Sequence, residues 1–423
     1  MSRSMRLESV QVVADLDDFG APFAMGHLAR HRSRLGEVLS FAYAPEWLQR
    51  PAAFAFDPDL TLVTGTQYPA AGHVSFGIFT DSSPDRWGRV LMQRRENLLA
   101  RREERRPRAL TAWDFLLGVH DETRLGALRF RSDTATPFID HDEQLAAPPI
   151  TSLGVLHAAS LNFERHLDDK QHPDYVAWLA QLFAPGTSLG GARPKATVRD
   201  ESGALCLAKF PSHNDDRDVG AWELVANRLA AAAGINVPES RAIRLPRTAY
   251  TTFLAKRFDR TRAGGRVAFV SAMTLTQHSD GDSGASYLEL VDLLQSRGTD
   301  TRLDCAELFR RVLFNILIHN TDDHLRNHGF FLNARGARLS PAFDLNPSIH
   351  RQELSLAINE IETACDVSIA MDAARNFGLT PAAASAILDQ VQSAVSGWRD
   401  LADYFGIPRA EQSMMSVAFE RRR

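Results

Sequence analysis

Residues His319 to Pro347 read HNTDDHLRNHGFFLNARGARLSPAFDLNP, and the placement of their polar side chains decides how the rest of the chain is understood. An apolar helical run, Leu308 to Ile318, precedes this stretch, and Asp, Asn and His crowd where that run must end. Asp322 stands five positions before Asn327. After a short segment, Phe330 to Leu332, that reads as a strand, a further carboxylate arrives at Asp344. An Asp-x-x-x-x-Asn loop, a hairpin and a second Asp form the spacing with which phosphoryl-transfer sites arrange a catalytic carboxylate and two Mg²⁺ ligands.

At 423 residues the chain exceeds what one hydrophobic core usually serves, so two or three domains are expected. Hydrophobic residues make up 44% and charged residues 24%, the composition of an ordinary globular protein. A formal net charge of −4 supplies no general attraction to nucleic acid or to an anionic membrane, so any DNA role would come from a local patch or a partner. Cys206, Cys305 and Cys365 are far apart and lack CxxC spacing, which suggests neither a disulfide framework nor a cysteine metal site and suits a reducing cytoplasm. Met1 to Val13 lacks the long apolar segment of a secretion signal. No apolar run approaches the roughly 20 residues of a membrane helix. The expectation is a cytoplasmic protein with no membrane partner.

Read in order, the pattern predicts an α+β chain in three parts: an N-terminal α/β subdomain (1–149), a small lobe with an antiparallel sheet (150–260) and a mainly helical lobe (261–423). In the first part Val10 to Ala14, Phe54 to Asp57 and Leu60 to Val63 read as strands. Asp81, Ser82 and Ser83 are candidate caps for a helix beginning near Pro84, with Trp87, Val90 and Leu91 as its buried face. Arginines between Arg94 and Arg108 admit a nucleic-acid contact, but interleaved glutamates favour a solvated helix face. Residues 132–149 read as a linker, with helices at Leu153 to Leu167 and Tyr175 to Phe183 beyond it.

Then GTSLGGARPKATVRDESGALCLAKFP places Gly186, Gly190 and Gly191 ahead of Ala192 and Lys195, before strands at Ala196 to Arg199 and Leu205 to Phe210. Glycines let backbone amides approach phosphate oxygens, and a nearby lysine adds charge. The P-loop pattern is absent, since no GKS or GKT follows and a strand stands where a helix should. Lys209, among apolar neighbours in LCLAKFP, is a candidate phosphate partner, although an edge lysine can also snorkel to solvent. Glu223, in the helix Val219 to Ala233, is the candidate to pair with it. Strands at Val237 to Leu245 and Tyr250 to Arg257 would complete the small lobe, and helices at Leu288 to Gln295, Asp304 to Ile318, Pro381 to Ala394 and Trp398 to Tyr404 follow.

In this reading Asp322 orients an attacking hydroxyl, Asn327 and Asp344 give oxygen ligands to Mg²⁺, and Lys209 holds the phosphates of ATP. A rival exists. His324 and His328 are four apart, as in helical zinc pairs, but HLRNH puts Leu325 where such a pair carries its general-base glutamate. A plainer alternative makes Asp322, Asp323 and Asn327 helix-capping residues and leaves Asp344 unexplained.

SLGGARPKA, LAKFP, KRFDR, HNTDDHLRNHGF and LSPAFDLNP, in this order, resemble the HipA family of serine/threonine kinases, toxins of bacterial toxin–antitoxin pairs. The segment Phe79 to Met92 and the stretch RLGALRF resemble that family's N-terminal region, with Ser83 and Arg86 departing from the more usual DSLPDGWG. The resemblance implies that Asp322 is the catalytic aspartate, Asn327 and Asp344 the metal ligands and Lys209 the ATP lysine. It implies that Ser188 is phosphorylated by the enzyme itself, carrying negative charge into the nucleotide site and switching it off. It also implies a HipB-type helix-turn-helix antitoxin as partner, DNA contact mainly through that antitoxin, and a protein substrate such as an aminoacyl-tRNA synthetase. The alternative is a catalytically weak co-repressor that binds the antitoxin on operator DNA. The intact set Lys209, Asp322, Asn327 and Asp344 favours the enzyme.

Overall fold

The computed structural model describes residues 7–34, 36–141, 147–167, 172–183, 191–246 and 248–420. The class is the expected one, α+β with antiparallel sheets and a mainly helical C-terminal part. By its contacts the chain divides into two compact units, Met1–Asn214 with Lys256–Val270 and Asp215–Ala255 with Ser271–Arg423. Among the described residues no helix is long and apolar enough to cross a membrane.

In the first unit β1 (Ser9–Ala14), β2 (Phe23–Ser33), β3 (Gly36–Tyr43), β4 (Thr66–Gln67) and β5 (Leu128–Arg131) form an antiparallel sheet ordered β4-β3-β2-β1-β5. Val10, Val12 and Val13 of β1 are fully buried, as befits a strand hydrogen-bonded on both sides. Its helices are α1 (Pro45–Leu48), α2 (Gly77–Asp81), α3 (Arg86–Arg102), α4 (Ala112–Leu117), α5 (Leu153–Arg165) and α6 (Tyr175–Phe183). Trp87 and Leu91 of α3 pack with Ala159 and Phe163 of α5 and with Tyr175, Leu179 and Leu182 of α6. Strands β6 (Lys195–Arg199) and β7 (Leu205–Lys209) form a hairpin whose register pairs Lys195 with Lys209.

Two expectations for this unit are corrected. Phe54 to Asp57 and Leu60 to Val63 are not strands: Phe54 packs edge-on and Phe56 tilted against Trp47, and the Asp57 carboxylate is drawn into a turn by the amides of Asp59 and Ile78 at 2.9 and 2.8 Å. The helix after Pro84 is capped by Asp85, whose Oδ1 accepts the amide of Gly88 at 2.8 Å, and not by Asp81, Ser82 or Ser83. In the arginine-rich segment, Glu96 is buried and receives Arg105 at 2.5 Å, while Arg108 donates to Asp114 at 2.6 Å. Those two guanidiniums serve the fold.

The KRFDR segment supplies a buried charge network within the same unit. Arg257 donates to both carboxylate oxygens of Asp259 at 2.8 and 2.6 Å, Arg260 donates at 2.5 Å, and the amide of Gly126 adds a bond at 2.9 Å. Arg257 also reaches the Thr123 carbonyl at 2.6 Å and Arg266 the Asp121 carbonyl at 2.6 Å, so residues 256–270 are tied to the loop before β5. Burial would raise the Asp259 carboxyl, but the Arg257 and Arg260 charges overcome it and hold the group well below the carboxylate range.

The second unit holds α7 (Val219–Ala232), β8 (Ser240–Ile243) and β9 (Thr252–Lys256) as far as Ala255; β10 (Phe269–Ser271) lies in the first unit up to Val270, and from Ser271 the second unit continues with α8 (Ala272–Leu275), α9 (Tyr287–Arg297), α10 (Thr301–Leu317), β11 (Gly329–Asn333), β12 (Gly336–Leu339), α11 (Val367–Ala373), α12 (Pro381–Ser396), α13 (Trp398–Tyr404) and α14 (Arg409–Phe419). Helix α7 runs so close to the strand that follows β8 that a Cβ on Gly220 would fall 2.2 Å from the Thr251 carbonyl oxygen. The centre is α10, which is packed on several sides by α9, α11 and α12 and buries Leu308, Phe309, Val312, Leu313, Phe314 and Ile316.

Among these apolar side chains Asn315 is also buried, and it has a purpose. Its Nδ2 donates to Asp323 Oδ2 at 2.8 Å, and the same oxygen accepts the Tyr287 hydroxyl at 2.6 Å and His328 Nε2 at 2.8 Å. Burial alone would raise the Asp323 carboxyl, but the charge and hydrogen bond of His328, with the Tyr287 hydroxyl, hold it below its ordinary range. The carboxylate therefore stabilises the fold above its unfolded-state pKa of about 3.9, and this contribution is lost as pH falls through the lower folded-state value.

Each network has a consequence for stability. Asp259→Ala leaves Arg257 and Arg260 buried without their carboxylate and is expected to lower unfolding free energy by about 3–5 kcal/mol in urea titration. Tyr287→Phe removes one of three donors to Asp323 and should cost about 1–2 kcal/mol by the same measurement at neutral pH. A variant as stable as the parent would deny the corresponding network its role.

Candidate functional site

Helix α10 ends at Leu317, and His319 reverses the chain with φ of 50°, a left-handed conformation that side chains rarely adopt. Its carbonyl accepts the amide of Thr321 at 2.9 Å and that of Ser348 at 3.0 Å, so the loop after α10 and the segment after Asp344 meet at one oxygen. Ser355 Oγ donates to the Thr321 carbonyl at 2.9 Å and fastens the following segment to the same loop.

Within that loop Asp323 points into the buried network, and its neighbour Asp322 is turned outward. The Asp322 side chain is 75% exposed, with the Arg351 guanidinium 3.7 Å away and itself 65% exposed. Residues Leu325–Asn327 then form a short 3₁₀ turn that buries Asn327. Asn327 Nδ2 donates to the Asp322 carbonyl at 3.1 Å; since a carbonyl only accepts, this bond fixes the amide's orientation and leaves Oδ1 as an acceptor. Arg326, the middle residue of the turn, grips Asp280 through two bonds of 2.7 Å.

The β11–β12 hairpin carries the chain from Asn327 to Asp344 and is locked to α10. Arg338 bonds both oxygens of Asp304 at 2.8 and 3.1 Å, and Arg311 donates to the Ser340 carbonyl at 2.7 Å. Beyond it Asp344 adopts φ of 61°, and its Oδ1 accepts Asn346 Nδ2 at 2.9 Å. Five non-glycine residues among those described have positive φ, and two of them, His319 and Asp344, bracket this site.

An amide oxygen and a carboxylate are hard donors, and a protein pair completed by phosphate and water oxygens is what Mg²⁺ uses. Asn327 and Asp344 carry donors of that chemical kind. The zinc alternative finds less support: His328 is committed to Asp323, and among the described residues no group of three His, Cys, Asp or Glu side chains gathers as a metal site.

The remaining sequence candidates are in other segments of the chain. Lys209 is half-buried at the end of β7 and Lys195 is buried at the start of β6, both in the first unit. Gly191, with φ of 103°, and Ala192 form an exposed turn before β6. Gly186, Ser188 and Gly190 lie outside the described residues. Glu223 is buried on α7 of the second unit. Sequence reasoning missed the partners Tyr287, Arg351 and Asn346. Asn315, a polar interruption of an apolar run, was the available signal that a buried polar group needed a partner.

The family described as HipA-like C-terminal domain matches residues 187–398. A curated relative, "Putative kinase Y4mE" of Sinorhizobium fredii, is 24% identical over 160 residues, which span 35% of this chain and 36% of that protein. Among solved structures, a chain of the complex of Shewanella oneidensis HipA, HipB and operator DNA superposes with a TM-score of 0.62 at 16% identity, covering 97% of this chain and 94% of that one. At that identity the likeness is one of fold. The matching family covers half of the sequence, including the whole His319–Pro347 stretch, and the chain belongs to the HipA-like C-terminal domain family.

Proposed function

We propose that this chain is an ATP- and Mg²⁺-dependent protein kinase that phosphorylates serine or threonine hydroxyls and acts as the toxin of a toxin–antitoxin pair. One observation carries the reading: the joining of two loops at the His319 carbonyl, which leaves an exposed Asp322 beside an Asn327 amide of fixed orientation. The kinase name of the partial relative supports it, as does a fold shared with a HipA–HipB complex.

The steps assigned to the chain are positioning and charge placement. Asp322 accepts a hydrogen bond from the attacking hydroxyl and aims its oxygen at the γ-phosphorus of ATP; as that O–P bond forms, the bond from the γ-phosphorus to the bridging oxygen breaks, ADP leaves, and the hydroxyl proton passes to Asp322. Asn327 Oδ1 and the Asp344 carboxylate hold Mg²⁺, and Asn346 keeps that carboxylate oriented. The chemistry that a bound Mg²⁺ supplies is neutralisation of charge on the phosphate oxygens. Lys209 adds an ammonium to the phosphates, with Glu223 as its carboxylate partner, and the backbone amides of Gly190, Gly191 and Ala192 are assigned to phosphate binding on the ground of their sequence pattern. Ser188 enters as the residue of self-phosphorylation on the ground of the family resemblance alone. The partner proposed is a HipB-type helix-turn-helix antitoxin, with DNA contact through it, and the substrate a protein such as an aminoacyl-tRNA synthetase.

Asp322→Ala is expected to reduce phosphate incorporation, from labelled ATP into the chain itself or an added protein, by about 10²–10⁴-fold. Because Asp322 is exposed, the same variant should keep the parent's unfolding free energy within about 0.5 kcal/mol. Incorporation at the parental rate in a folded Asp322→Ala protein would remove Asp322 from the reaction. Mg-ATP at about 100 times its Kd should stabilise the parent by about 2.7 kcal/mol, read as a rise in melting temperature, and no rise would count against nucleotide binding.

A further inference from the structure

The segment from Phe79 to Gly88 has no part in the reaction described so far, yet its Asp85 is doubly engaged. Oδ1 caps α3 through the Gly88 amide, and Oδ2 accepts Lys195 Nζ at 2.9 Å with both side chains buried. Two further contacts join the same places. The Gly191 carbonyl accepts the amide of Trp87 at 3.4 Å, and a Cβ on Gly191 would stand 2.9 Å from Lys195 Nζ. The described end of the glycine-rich segment, Gly191 to Lys195, is thus seated on the first turn of α3.

Register adds a second consideration. Lys195 and Lys209 are directly opposed across the β6–β7 hairpin, which puts both side chains on one face, where like charges repel. The Asp85 carboxylate matches the charge of Lys195 and so eases that repulsion. An ammonium already matched by a buried carboxylate contributes little further attraction for a phosphate.

We infer that Asp85 is a positioning residue for nucleotide binding: by neutralising Lys195 it fixes the turn at Gly191 and lets Lys209 serve as the cation of that face that meets the phosphates. The inference rests on the kinase reading and assigns the N-terminal region a part in it. Lys195 here acts through Asp85 and the turn and makes no direct bond to phosphate.

The opposite assignment, with Lys195 itself a phosphate ligand, makes the opposite prediction, since removing Asp85 would then free its charge. The test is a double-mutant cycle on the full chain with Mg-ATP as the probe, reading KM and kcat for phosphate incorporation, with circular dichroism to establish folding. Asp85→Asn and Lys195→Met should each raise KM for ATP about tenfold, within the range shown by coupled neighbours, with kcat within about twofold of the parent. The double variant should be no worse than either single one. Asp85→Glu keeps the charge and should recover most of the affinity; it also serves if Asp85→Asn does not fold, since it must then fall between the parent and Lys195→Met. An Asp85→Asn protein that binds ATP as well as or better than the parent, losses that multiply in the double variant, or a fall in kcat at unchanged KM would each overturn the inference. A parent that binds no Mg-ATP would instead remove the kinase reading on which it rests.

Discussion

A carboxylate buried beneath the loop, and not one displayed on it, is what the site depends on. Asp323 draws donors from α9, from α10 and from the loop's own His328 onto one oxygen. A buried charge is tolerated only while its partners are in place, so this geometry penalises other backbone paths between α10 and β11. With Asp323 directed inward, Asp322 is directed outward, and the Asn327 amide closes back on the Asp322 carbonyl. Adjacent aspartates thus have opposite duties, one structural and the other proposed to be chemical.

The far side of the site is held by the same means. Arg338 and Arg311 lock the β11–β12 hairpin to α10, so the point from which Asp344 emerges is set by charged bonds to the central helix. The positive φ of Asp344 then turns its backbone in a way that most residues resist, and Asn346 steadies the carboxylate. The first unit repeats the pattern with Asp259, around which Arg257, Arg260 and the Gly126 amide gather. In both units motifs that look like catalytic signatures spend several of their charged residues on holding loops.

Much of this was legible because it is local. The apolar run ending at Ile318, the Asp322 to Asn327 spacing and the β6–β7 hairpin each depend on residues near in sequence, and periodicity exposes them. What escaped was non-local or masked by composition. The β2–β3 hairpin carries His27, His31, Arg32 and Glu37 among its apolar positions and was not recognised as a strand pair, while Phe54 and Phe56 alternate like a strand yet serve a cluster around Trp47. Asp85 was passed over in favour of Asp81, Ser82 and Ser83 as caps near Pro84, and its bond to Lys195, which spans 110 residues, left no local sign. Tyr287 gave no sign of its partner for the same reason.

The central claim is that Asn327 and Asp344 converge on one divalent ion. Anomalous diffraction from crystals grown with Mn²⁺ in place of Mg²⁺ and a non-hydrolysable ATP analogue tests it most directly. The account predicts a manganese peak bonded to Asn327 Oδ1, to an Asp344 carboxylate oxygen and to the nucleotide phosphates. A nucleotide bound with its manganese on other side chains, or a peak held by His324 and His328, would contradict it.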